Sequence, residues 1–150
     1  MQAAATAGLG FLFAVLWFDL MFDVQAARPK RGDLPHHVVA SIAGYYRQIT
    51  TTARPMNRLV AAVMLTTLAA LVAEIWTGRE PAWAVWVSLS LTAFGVGLAA
   101  VRTVRNAVRL GRGADELAAQ SELARSILRD HLRCALAVAT ALLVQLALLR

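Results

Sequence analysis

A single cysteine, Cys134, stands among 150 residues, which excludes an internal disulfide framework and any zinc site built from several thiolates. There is no Gly-rich phosphate loop, no nucleophile elbow and no His-Glu-x-x-His, so three common enzyme chemistries lack their signatures. Neither an internal repeat nor a low-complexity tract is present. Acidic residues are scarce, nine Asp and Glu against 15 Lys and Arg, for a net charge of +6. In a soluble domain that balance would suggest nucleic acid. Here the basic residues lie beside apolar runs of membrane-spanning length, so membrane topology explains them and no nucleic-acid partner is expected.

Apolar side chains dominate what remains. They make up 59% of the chain, against about 45–50% in ordinary soluble domains, and the mean hydropathy is +0.58. A small integral membrane protein is the first inference, because about 20 helical residues at about 1.5 Å each cross a hydrocarbon core of about 30 Å. The first span, about 3–24, has no charge from Ala3 to Phe18 and then carries Asp19 and Asp23. Val24-Gln25-Ala26 loosely resembles a signal-peptide cleavage site. A signal peptide, however, has a basic start and a clean apolar core, whereas this run starts neutral and ends acidic, so an uncleaved span is expected.

A polar connection follows. Arg28-Pro29-Lys30-Arg31-Gly32-Asp33 reads as a turn, and Pro35 suits a helix start. Over 36–52, Val39, Ile42, Tyr46 and Ile49 recur at helical spacing opposite a more polar side, which predicts an amphipathic helix at the membrane interface with Tyr45 and Tyr46 at headgroup level. The second span, about 57–76, opens on Asn57 as a cap after Pro55 and ends near Glu74 and Trp76. The tight turn Thr77-Gly78-Arg79-Glu80-Pro81 returns the third span, about 82–101, as an antiparallel hairpin. In that span Ala93 and Gly97 form a small-xxx-small pair for close helix packing. Beyond it Arg102, Arg105, Arg109 and Arg112 form a basic stripe that Gly111 and Gly113 break. A cytoplasmic helix, about 115–131, carries Arg125, Arg129 and Arg133 into the fourth span, about 132–149, where Arg133 must snorkel.

The predicted architecture is therefore all-α: a four-transmembrane-helix bundle in one domain, 1–150, with a cytoplasmic interfacial helix and cytoplasmic extensions of the third and fourth spans. Orientation follows from the basic residues. Six lie in 26–58 and seven in 102–133, while the opposite side has only Arg79 and Arg150. The positive-inside rule then makes both long connections cytoplasmic and puts both termini outside, in a bacterial-type inner (plasma) membrane.

That topology delivers ionisable groups from all four spans to one level: Asp19 and Asp23, Arg58, Arg102 and Arg105, and Arg129, Asp130, His131 and Arg133. Asp19 and Asp23 are four apart and share a helix face. Ionisable groups inside a membrane mark functional sites by default. Pairing with these arginines to lock helix register is the expected role; a polar site for a headgroup or a proton is the alternative. His131, between Asp130 and Arg133, titrates in the range that exchanges protons near neutral pH. Asp19, Asp23, His131 and Cys134 are donors suited to iron, manganese or zinc. The paired Glu-x-x-His of bundle di-metal sites is absent, so no metal and no cofactor is expected. His36 and His37 diverge on a helix and read as a solvated end. Thr66 and Thr67 are expected to bond back to their own helix, and Gln145 to join the fourth span to a neighbour. The basic stripes suit anionic lipid headgroups.

Asp130-His131-Leu132-Arg133 opening a final apolar helix, together with the Pro55-Met56-Asn57 entry to the second span, resembles the small anthrone-oxygenase-like membrane proteins, which often carry His-x-Arg at that place. The resemblance implies a four-helix bundle and, for a few members, cofactor-independent oxygenation of a polycyclic phenol, with His131 and Arg133 lining the pocket.

Three classes of function follow. A non-catalytic accessory or self-associating module, bound through the Ala93/Gly97 face, predicts Asp19 and Asp23 paired with arginine and no cavity reaching them. An enzyme for a lipophilic substrate predicts an apolar pocket ending at Asp19 and His131. A proton-coupled carrier predicts a hydrated path through Thr66 and Thr67 to Glu74, in a multimer. The first is preferred, because no catalytic constellation stands out.

Overall fold

The computed structural model describes residues 1–28, 32–78 and 80–148. The expected turns at 28–33 and 77–81, and the end of the fourth span, fall in part on 29–31, 79 and 149–150, which lie outside the described residues. The described chain is helical, with no strand among its residues: α1 (Gln2–Asp23), a 3-10 turn (Val24–Ala27), α2 (His36–Thr51), α3 (Arg54–Thr77), α4 (Ala82–Leu98), a π turn (Ala99–Thr103), α5 (Val104–Arg112) and α6 (Leu117–Leu148). Four helical stretches among the described residues are long and apolar enough to cross a membrane: Gln2–Ala27, Pro55–Thr77, Ala82–Arg112 and Leu117–Leu148. By length and composition these four stretches suit a multi-pass helical membrane protein.

The spans pack in a ring. α1 lies against α3 and α6, and α4 closes the ring against the same two helices. Lipid tails are as apolar as leucine, so close approach rather than water exclusion must hold such helices together. Gly8 supplies one such approach: a Cβ there would run into the Thr67 hydroxyl of α3. Leu9, Leu12, Val138 and Ala141 fill the middle of the bundle. On α4 the inward face is Ala84, Val85, Ser88, Thr92 and Gly95. Ala93 and Gly97 are exposed, and a Cβ at Gly97 would meet nothing.

Helix ends follow local chemistry. α3 begins at Arg54, before Asn57, because Pro55 fits a first turn whose amides have no intrahelical acceptor. Asn57 instead donates its side-chain amide to the Ile49 carbonyl at 2.8 Å, covering the end of α2. Gly78 and Gly113 close α3 and α5 with φ of 58° and 62°, the left-handed conformation that suits glycine. Gly111 does not break α5. It is the point where α2 crosses, and a Cβ there would lie 2.8 Å from the Arg47 backbone nitrogen.

At one end of the bundle, α2, α5 and the first half of α6 build a second core. Val39, Ile42, Ala43 and Tyr46 pack with Ala107, Leu110, Ala124 and Ile127. The α2 stripe expected to face lipid is therefore buried on protein. An amphipathic face of this width satisfies either environment, and the apolar sides of α5 and α6 lie within reach. The connection before α2 is tied down as well: the Leu34 amide donates to the Ser121 hydroxyl at 3.0 Å, and Arg125 donates to the Gly32 carbonyl at 2.6 Å.

Candidate functional site

The junction between bundle and lobe carries the densest buried polar chemistry. It has two halves, set by neighbouring residues of α6 that point to different sides.

On the α1 and α2 side, Asp23 is fully buried and Asp19 partly so. Their i, i+4 spacing turns both toward α2 and α6. Tyr46 donates to Asp23 Oδ1 at 2.7 Å, and Tyr45 donates to Asp19 Oδ1 at 2.6 Å. The remaining Asp23 oxygen, Oδ2, lies 2.6 Å from His131 Nδ1. An ionised Asp23 thus places a proton on Nδ1 and leaves Nε2 facing Asp19 Oδ2 at 3.9 Å, within ion-pair range but beyond a direct hydrogen bond. The tyrosines remain donors. Burial pushes both hydroxyls far above their usual range; the hydrogen bond to Asp19 and its charge add to this at Tyr45, and the charge of Asp23 with its hydrogen bond at Tyr46. Phe22 stacks on Tyr45 with centroids 4.0 Å apart, covering the pair from the exposed side.

On the α4 and α5 side, Asp130 is fully buried. Arg102 Nε, carried on the π turn, lies 3.2 Å from its Oδ2, and Arg133 lies 3.6 Å from its Oδ1. Neither approach has hydrogen-bond geometry, so Asp130 is held by charge. Arg102 spends a directed bond on Ser126, at 2.9 Å, which Asn106 also reaches at 3.2 Å. One turn deeper, Cys134 points its thiol at the Gly95 carbonyl, 3.7 Å away.

Of the residues marked in the sequence, Asp19, Asp23 and His131 thus form one cluster, and Arg102, Asp130 and Arg133 another. Arg58, Arg105 and Arg129 are exposed. The acids of α1 meet a histidine and two tyrosines, whereas the arginines meet Asp130. Tyr45, Tyr46, Ser126 and Asn106 were not marked as site residues. The available signal was Tyr46's place on the buried Val39, Ile42, Tyr46 stripe, three and four residues apart, in the helix directly after the acids.

Chemically, the first cluster can hold one proton between two carboxylates and keep an imidazole oriented; the second fixes one negative charge between two cations. The described residues bring no three His, Cys, Asp or Glu side chains into a group suited to a metal ion. Two surface depressions, of about 380 and 430 Å³, flank α5. Neither is lined by Asp19, Asp23 or His131.

Fold and site together describe a class: an all-helical protein with four helices long and apolar enough to span a membrane, in which buried Asp23, Asp130 and His131 are met by tyrosines and by exposed arginines where the bundle meets its lobe. No family model, curated protein or solved structure matches the chain.

Proposed function

We propose that this is a non-catalytic accessory or self-associating module of a bacterial-type plasma membrane, with both long connections cytoplasmic. One observation carries the reading: both carboxylates of α1 are taken up by donors from α2 and α6, Tyr45, Tyr46 and His131. Bonds from two different helices are what a docking joint needs, and they leave Asp23 no lone pair facing an open cleft. The orientation is supported by 13 of 15 basic residues falling in the two long connections. The partner is a second copy of the chain or a larger membrane complex, reached through the exposed α4 face of Ala93 and Gly97. Anionic lipid headgroups meet the exposed arginines Arg58, Arg105 and Arg129.

A second reading rests on His131. An aspartate on Nδ1 that orients Nε2 is the arrangement of a general base, and it agrees with an anthrone-oxygenase-like enzyme acting on a lipophilic phenol, although Arg133 faces Asp130 rather than His131. Native mass spectrometry of the chain extracted with its lipids separates the two. Self-association or a bound protein, unchanged in kind by Asp23→Asn, supports the module. A retained small molecule that Asp23→Asn releases overturns it in favour of the enzyme.

A further inference from the structure

The opposite end of the bundle holds a second buried polar group. Gln145 of α6 is fully buried and donates its amide to Glu74 Oε2 of α3 at 3.1 Å, while Gln2 of α1 donates to the Gln145 backbone carbonyl at 3.4 Å. Glu74 is 2% exposed. At this end each of the four spanning helices also supplies one buried side-chain oxygen with no hydrogen-bond partner: Thr6 Oγ1 on α1, Glu74 Oε1 on α3, Ser88 Oγ on α4 and Gln145 Oε1 on α6. Counted from the described helix ends at that side, Glu74 and Gln145 lie about 4.5 Å deep, Thr6 about 6 Å and Ser88 about 9 Å. The packing agrees, since Ala5, Leu71 and Leu89, close neighbours of Thr6, Glu74 and Ser88, share one apolar cluster.

A lone buried acceptor costs free energy, and four within about one helical turn of depth at one end of the bundle form a pattern. The groups are a carboxylate, an amide oxygen and two hydroxyls. These are hard donors that suit an alkali cation and give nothing to a soft metal. Their formal charge is one negative, so a monovalent ion leaves the layer neutral, whereas a divalent ion would leave a positive charge in low dielectric. We propose that Glu74, Gln145, Ser88 and Thr6 form a site for a monovalent alkali cation at this end of the bundle.

The test is thermal unfolding of the detergent-solubilised full chain in sodium, potassium or N-methyl-D-glucamine chloride at equal ionic strength, with a calorimetric titration of NaCl and of KCl. Expected is a saturable Tm rise of about 5 °C in one alkali salt over N-methyl-D-glucamine. Ser88→Ala and Glu74→Gln should each weaken the apparent affinity at least tenfold. Glu74→Gln keeps the contact with Gln145, and if it does not fold, Ser88→Ala and the wild-type titration decide. Equal Tm in all three salts overturns the proposal. So does an alkali effect that survives in Ser88→Ala and Thr6→Ala, or stabilisation by lower pH alone, which would assign the layer to a proton on Glu74.

Discussion

Replacing Asp23 by asparagine tests the docking joint directly, because it removes a charge without changing shape. In the native site one oxygen of Asp23 accepts from Tyr46 and the other faces His131 Nδ1 at 2.6 Å. Asparagine serves only one of these partners well. With its oxygen toward Tyr46, its amide points at Nδ1, and the imidazole loses its charged acceptor. Nδ1 must then accept, so the neutral ring carries its proton on Nε2, which faces Asp19 Oδ2 at 3.9 Å, too far for a hydrogen bond. Loss of a charge-assisted buried hydrogen bond is worth about 1.5–3 kcal/mol, which at about 2–4 °C per kcal/mol lowers Tm by about 5–10 °C. Tyr46→Phe should cost about 1–2 kcal/mol, since it strands a buried carboxylate oxygen. The double variant should cost less than the sum by about 1 kcal/mol, because the Tyr46 hydroxyl already bonds more weakly to an amide oxygen than to the carboxylate, so its loss matters less in Asp23→Asn. Thermal unfolding in detergent gives the three values, and amide exchange in α2 shows whether the helix undocks. An Asp23→Asn protein as stable as wild type, or strict additivity with Tyr46→Phe, refutes the joint. Arg58→Gln is the control: Arg58 is exposed, so its loss should stay within about 0.5 kcal/mol.

Other consequences are equally direct. Gly111→Ala forces a methyl group against the Arg47 backbone, so it should cost about 1–3 kcal/mol and raise amide exchange in α2 while leaving the spans protected. Cys134 is 3% exposed and should resist a water-soluble maleimide; in Arg112→Cys and Thr77→Cys the new thiols should label from the cytoplasmic and the outer face respectively, and the reverse pattern would overturn the orientation. The Arg109 guanidinium holds the Asp115 carboxyl below its usual range, through bonds of 2.9 and 2.8 Å. A depressed acid stabilises the fold above the unfolded-state pKa and loses that contribution as pH falls through its folded value. Exchange at the α5 to α6 turn should therefore match between wild type and Asp115→Asn in strong acid and diverge toward neutral pH, less so in high salt.

The spans were legible because a bilayer demands length and the absence of charge, and both are visible in one dimension. Their ends were less so. Pro55 reads as a stop, yet a first helical turn accepts it; Gly111 reads as a breaker, yet a helix keeps it where another backbone crosses. The polar layer was legible as a level and illegible as a set of partners. Residue counting places Asp19, Arg102 and His131 at similar depth, but rotation about each helix decides which charge meets which. Asp130 and His131 differ by one residue, about 100° of turn, and that sends one to the arginines and the other to the acids. The partners of the tyrosines were not legible, because a half-buried amphipathic face looks the same whether lipid or protein covers it.

The two polar layers lie at opposite ends of the bundle, and what separates them bears on function. Along α6, Gln145 and His131 are about 21 Å apart. The buried residues between them on that helix are Cys134, Ala137, Val138 and Ala141, and of these only the thiol is polar, bound to Gly95. Leu9 and Leu12 close the same level from α1. Thr67 and Thr92 lie toward it on α3 and α4, but each donates its hydroxyl to its own helix, at 2.7 Å. Thr66 does likewise and is exposed. Proton transfer needs an unbroken chain of groups that both donate and accept, and hydroxyls committed to backbone carbonyls across an apolar layer do not provide one. The described residues of one copy therefore offer no side-chain relay between the proposed docking joint and the proposed ion site.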